Sequence, residues 1–159
     1  MEGPMKVALL DKRDIWYSRA LLPVFEHENC KEITRINGKK AAWRINGDRL
    51  IIVKKGTPGG KRKRYWQCTF KPNELVFCNE EGRHVKICLL VVCGDAVCAL
   101  SWREAQQIMR PAADVKQEPL YVRKKNKQWY EVKGANASAD PLLVERTSRQ
   151  NLLKHVYYP

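Results

Sequence analysis

Two Asn-Gly pairs limit what this chain can become more than any other feature of it. Asn37-Gly38 and Asn46-Gly47 separate short runs rich in β-branched and aromatic residues, at 32–36, 41–45 and 49–53. Asn and Gly tolerate the positive φ that both central residues of a two-residue type I′ turn require, and that turn has the twist of the strands it joins. The spacing therefore predicts a three-strand antiparallel meander. Residues 84–93 and 96–100 flank Gly94-Asp95 in the same manner. They carry little charge after Lys86, which predicts strands covered on both faces. Residues 65–70 predict a further strand, and 120–123 with 128–133 a last hairpin tipped by residues 124–127.

Helix signals are fewer. Residues 11–29 predict a first helix, with Asp11 or Asp14 as its cap and Ile15, Trp16, Leu21, Leu22 and Phe25 on its apolar stripe. Pro23 lies inside this pattern, so a kink or a junction of two short pieces is expected there. Ser101 followed by Glu104 is a capping box that opens a helix to about Met109, which Pro111 stops. After Thr147 or Ser148, the residues Leu152, Leu153, Val156 and Tyr157 recur at spacings that make one helical face. The expected fold is α+β: a mostly antiparallel, multi-stranded sheet built as a hairpin meander, with an N-terminal helix, one central helix and a C-terminal helical tail. At 159 residues the length suits one core. Residues 1–133 are expected to form a single basic domain, 134–141 a linker of small residues, and 142–159 an amphipathic tail docked on the body.

No apolar run approaches the roughly 20 residues of a membrane helix; the longest, 87–93, has a strand's length. The apolar stretch at residues 7–10 is too short for a secretory signal. The expectation is a cytoplasmic protein, or a nuclear one in a cell with a nucleus, neither secreted nor membrane-bound. In that reducing setting the six cysteines are expected to be thiols serving as small core hydrophobes. His84, Cys88, Cys93 and Cys98 lack the closely paired spacing of a zinc site, so no metal and no cofactor is expected.

Charge is the strongest functional signal. Thirty Lys and Arg stand against seventeen Asp and Glu, a net +13, which suits a polyanionic partner. The excess is clustered: Lys54, Lys55, Lys61, Arg62, Lys63 and Arg64 surround a Gly- and Pro-rich loop, and Arg123, Lys124, Lys125 and Lys127 crowd the last hairpin. Lys39 and Lys40 form another basic hairpin end. Loops of this kind track phosphates and release counterions. Trp43, Tyr65, Trp66, Tyr121, Trp129 and Tyr130 stand near the cations in sequence, and Trp66 and Trp129 are the expected surfaces for stacking on bases. A nucleic acid, DNA or RNA, is the expected partner.

Two alternatives follow from other residues. Asp114, Glu131 and Lys133 match, in order, the D…E-x-K signature of metal-dependent nucleases, which would call for Mg²⁺. Strand alternation puts Glu131 and Lys133 on one face. A competing placement takes Glu26 on the first helix, Asp48 at a hairpin and the strand at 65–70, in an order suggestive of a restriction-endonuclease-like core. That strand reads Gln67-Cys68-Thr69 and lacks both the carboxylate and the lysine. The second alternative is an adaptor subunit whose tail, residues 147–158, binds a protein. Other chemistry lacks its groups: His27, His84 and His155 have no neighbouring nucleophile in a familiar arrangement, and no phosphate-cradling G-x-x-x-x-G-K-[ST] run occurs.

Overall fold

Both residues of the second Asn-Gly pair take the expected positive φ, 55° and 74°, but Ile45 pairs with Arg49, so the turn holds the three residues 46–48 and not two, in a computed structural model that describes residues 18–36, 38, 41–59, 64–110, 117–147 and 149–157. Glycine at 47 carries no Cβ to oppose that conformation. The turn joins β2 (Ala42–Ile45) to β3 (Arg49–Lys55), while β1 (Ile33–Arg35) pairs antiparallel with the other side of β2. Asn46 does more than turn the chain. Its Oδ1 accepts from the Lys31 and Glu32 amides at 2.9 and 3.1 Å, and its Nδ2 donates to the Asn29 carbonyl at 2.7 Å. One side chain thereby fixes the entry to the meander.

The meander continues into a five-stranded sheet of order β1-β2-β3-β6-β7, with β6 at Lys86–Cys93 and β7 at Ala96–Ser101. All its pairs are antiparallel except β3 with β6, which run parallel from Arg49↔Lys86 to Lys55↔Val92. Both faces are covered. Leu50, Ile52, Ile87, Leu89, Val91, Cys93, Cys98 and Leu100 belong to one buried cluster, and Ile51, Val53, Cys88, Leu90, Val92 and Ala99 to the other. Burial on both sides is why these strands read as continuous apolar runs instead of alternating. Each buried Leu, Ile or Val contributes on the order of 1.5–3 kcal/mol.

Helix α1 (Ser18–Glu26) covers one face with Leu21, Val24 and Phe25, and helix α4 (Arg149–Tyr157) covers it with Leu152, Val156 and Tyr157. Pro23 lies within α1. Residues 11–17 of the expected helix fall outside the described residues. The Tyr157 hydroxyl donates to the Val24 carbonyl, and its ring stacks on His27 at 4.8 Å, so the two helices are fastened to each other. This packing uses the apolar face of α4 that a protein partner would need.

The opposite face meets a second sheet, so the expected α+β fold of mostly antiparallel strands and hairpins is realised as two sheets packed together. Strands β4 (Thr57–Gly59), β5 (Tyr65–Phe70), β8 (Glu118–Lys124), β9 (Trp129–Gly134) and β10 (Leu142–Glu145) pair antiparallel in the order β10-β9-β8-β5-β4. The chain passes from β3 into β4 through Gly56, whose amide donates to the Val92 carbonyl at 2.8 Å. Two helices seal the space between the sheets. Helix α2 (Pro72–Glu81) was not expected; Pro72 at its start and Glu74, which accepts from the Lys71 amide at 3.1 Å, are its signals. Helix α3 (Trp102–Ile108) opens on the expected capping box, with Ser101 Oγ and the Glu104 carboxylate accepting amide hydrogens at 3.1 and 3.0 Å.

Alternation divides sheet 2 cleanly. Trp66, Cys68, Phe70, Leu120, Val122, Tyr130 and Val132 are buried toward sheet 1. Tyr65, Gln67, Tyr121, Arg123, Trp129, Glu131 and Lys133 take the other parity and are exposed or half-buried. Glu118 is the one charged residue in the described core, and its carboxylate accepts from Arg110 Nε at 2.9 Å. No described helix is long and apolar enough to cross a membrane. At the end of β9 the backbone approaches α3 so closely that a Cβ on Gly134 would lie 2.0 Å from the Ile108 carbonyl oxygen. Because that obstacle is backbone, Gly134→Ala is expected to lower stability by about 1–3 kcal/mol, measured by urea denaturation, and an unchanged midpoint would mean that α3 can shift freely.

Candidate nucleic-acid interface

Antiparallel pairing in sheet 2 sets Arg64, at the head of β5, beside the basic β8–β9 tip. Gly59 pairs with Tyr65 across the β4–β5 connection, Tyr65 pairs with Arg123, and Lys124 pairs with Tyr130 across the β8–β9 tip. The Lys124 amide donates to the Arg64 carbonyl at 2.9 Å, so the two segments touch at their bases. The tip is shaped by Asn126, whose Oδ1 accepts from the Gln128 and Trp129 amides at 2.8 and 2.9 Å. Arg146 joins the same end, its amide donating to the Gln128 carbonyl at 2.6 Å.

Arg64, Arg123, Lys124, Lys125, Lys127 and Arg146 thus gather at one end of sheet 2. Lys125 meets Glu131 at 3.5 Å; the others named form no ion pair among the described residues. The carboxylates nearby are Glu131, Glu145, which accepts from the Gln128 amide group at 2.9 Å, and Asp95, which acts on Tyr130 together with Arg146. Cations outnumber anions here, and most are solvent-exposed. Arg146 was not expected, because it follows a stretch that reads as linker and tail. Lys61, Arg62 and Lys63 lie outside the described residues, as do Lys39 and Lys40.

Two residues expected at the interface take different roles. Lys54, at the end of β3, is half-buried; its ammonium is held by the Glu74 carboxylate and donates to the Thr69 carbonyl at 3.1 Å, 4.7 Å above the Phe70 ring. A cation so placed needs its carboxylate, and the pair fastens β3 to the start of α2 instead of standing open to a phosphate. Lys55, one residue on, is exposed. Trp66 is 7% exposed and packs on Tyr130, with ring centroids 6.1 Å apart, which removes it as a surface for bases. Its neighbour Tyr65 faces outward instead, 40% exposed, with its ring 6.1 Å from that of Tyr121 at 29°. Burial, then Tyr121, raises the Tyr65 phenol above its usual range, so it stays neutral. Trp129 is half-buried on the outer parity of β9. The sequence does carry a signal for this phase: Tyr65 shares parity with Gln67 and Thr69, Trp66 with Cys68 and Phe70.

The nuclease residues are only partly brought together. Glu131 and Lys133 share the outer face of β9, as alternation requires, but Glu131 is engaged by Lys125 and stands opposite Arg123. Asp114 lies outside the described residues. In the competing placement Glu26 ends α1, Asp48 sits in the β2–β3 turn bonded to Arg49 at 2.9 Å, and β5 belongs to the other sheet. Among the described residues no group of three His, Cys, Asp or Glu side chains could hold a metal ion.

The cysteines are all buried and form no disulfide. Burial pushes the Cys68 and Cys88 thiols up to about 12, and hydrogen bonding to Cys98, then burial, raises Cys93. Such thiols are poor nucleophiles at neutral pH. Comparison with known proteins returns no match: no family model fits the chain, and no curated protein or solved structure is significantly similar to it.

The raised thiols have a pH consequence. Cys68 and Cys88 titrate near 9.0 when unfolded and near 12 when folded. Between those values the folded state holds more protons, so stability is full below pH 9 and falls as pH rises toward 12. Denaturant midpoints taken across that window should decline, and replacing both residues with alanine should flatten the decline. A midpoint constant to pH 12 in the wild type would contradict this.

Proposed function

We propose that this chain binds nucleic acid, with the basic end of sheet 2 holding the phosphate backbone. The observation that supports this most is the register that sets Arg123 beside Tyr65 and joins the Lys124 amide to the Arg64 carbonyl. Two segments far apart in sequence thereby contribute to one positive surface. Exposed Arg and Lys side chains on a rigid sheet end can each neutralise a phosphate, and every neutralised phosphate releases condensed counterions. Arginine adds a planar fork that matches two phosphate oxygens at once. The net +13 draws a polyanion toward the surface before any contact forms.

The test is anisotropy of labelled oligonucleotides, single-stranded and duplex, DNA and RNA, across a salt series. Wild type should bind with a log–log salt slope near −0.7 (single strand) to −0.9 (duplex) for each phosphate neutralised. Replacing Arg123, Lys124, Lys127 and Arg146 together with alanine should weaken binding at least ~10-fold and flatten the slope by that increment for each phosphate no longer neutralised. Absence of binding at low salt, or an unchanged slope in the variant, would sink the proposal.

A further inference from the structure

The outer face of sheet 2 carries more than charge. Its strands lie about 4.8 Å apart, so five of them span roughly 20 Å. Near the centre, the register makes a small square: Tyr65 opposite Arg123 and Gln67 opposite Tyr121. The tyrosines occupy one diagonal with rings 6.1 Å apart, and Gln67 and Arg123 occupy the other, both exposed. Lys133 pairs with Tyr121 on the far side. The Gln67 amide, with two donors and one acceptor, makes no hydrogen bond among the described residues. Tyr65 also sits directly beside Arg64, at the start of the basic end of the sheet.

We infer that this face is a platform for unpaired bases, and that the chain's ligand is single-stranded nucleic acid. The inference rests on the proposed nucleic-acid binding. Tyr65 and Tyr121 offer ring surface on which bases stack regardless of sequence, worth about 5- to 150-fold in affinity per base. Gln67 lies within the same square, where its amide can meet the edge of a stacked base. Arg123 bridges the two parts: it pairs with Tyr65 across the ladder and stands at the start of the phosphate-binding end. A duplex cannot use such a surface, because its base faces are hidden in its own stack and only phosphates remain to be held. The same protein should therefore hold a duplex through charge alone and a single strand through charge and rings together.

The experiment compares a short oligouridine or oligothymidine with a duplex of equal length across a salt series, with affinities set against each other at matched salt. Variants are Tyr65→Ala with Tyr121→Ala, and Tyr65→Phe with Tyr121→Phe. Wild type should prefer the single strand. The alanine pair should lose about 5- to 150-fold in single-strand affinity for each ring that stacks, with duplex affinity and its salt slope unchanged, while the phenylalanine pair keeps single-strand affinity. Equal loss on both ligands, or no loss on the single strand, overturns the inference while leaving charge-based binding standing. No binding of either ligand at low salt overturns both readings. A second measurement needs no variant: photocrosslinking of wild type to an iodouridine-containing single strand, mapped by peptide mass, should mark Tyr65 or Tyr121. Crosslinks confined to residues 124–127 would overturn the platform.

Discussion

The parallel pairing of β3 with β6 is the constraint on which the rest of the structure depends. Antiparallel neighbours can be joined by a two-residue turn, but parallel ones need the chain to travel back the length of a strand. Here the return path leaves sheet 1 at Gly56, builds β4 and β5, and comes back through α2. The crossover therefore does two jobs. It lays a helix over the sheet, and it starts the second sheet, which β8, β9 and β10 then extend. The Lys54–Glu74 pair locks the departure point of this path to the start of its returning helix.

That origin explains the distribution of chemistry between the layers. Sheet 1 is covered on both sides, and its buried cysteines serve as core filler. Sheet 2 has one face in the core and one in water, so each of its strands can carry function without loss to the interior. Because β5 and β8 are adjacent, Arg64 at the head of β5 and Lys124 at the end of β8 are adjacent too. Segments separated by about sixty positions in sequence (Arg64 and Lys124) meet through a single backbone hydrogen bond. The charge concentration thus combines the 123–127 run with Arg64 and Arg146, which strand pairing brings to it.

What could be read from the sequence was what is encoded locally. The Gly94-Asp95 hairpin and the Ser101–Glu104 capping box each depend on a few neighbouring residues and form as expected, and Asn46-Gly47 turns the chain with the expected positive φ, though over three residues. Two kinds of information were not local. One was the number of sheets, which depends on where the chain goes after Gly56. The other was strand phase: Tyr65 and Trp66 are equally aromatic, and which of them points inward shows only in the parity that Trp66 shares with the apolar Cys68 and Phe70, both buried. Helix α2 and strand β10 were missed for related reasons. The first has a weak apolar pattern, with Leu75 and Cys78 as its buried residues; the second alternates over just four residues, with Leu143 left 62% exposed. Arg146 went unnoticed as a consequence.

An open aromatic face on a sheet carries a hazard, since an unpaired strand at its margin invites another chain to add on and continue the ladder. Strand β4 forms one margin of sheet 2 and is only three residues long, with Pro58 at its centre. Proline has no N–H to offer, and a strand this short gives an incoming segment little to align on. At the opposite margin β10 is also short and ends in Glu145. Both borders are poor templates for strand addition, so the surface between them can stay bare in water without recruiting further copies into an aggregate.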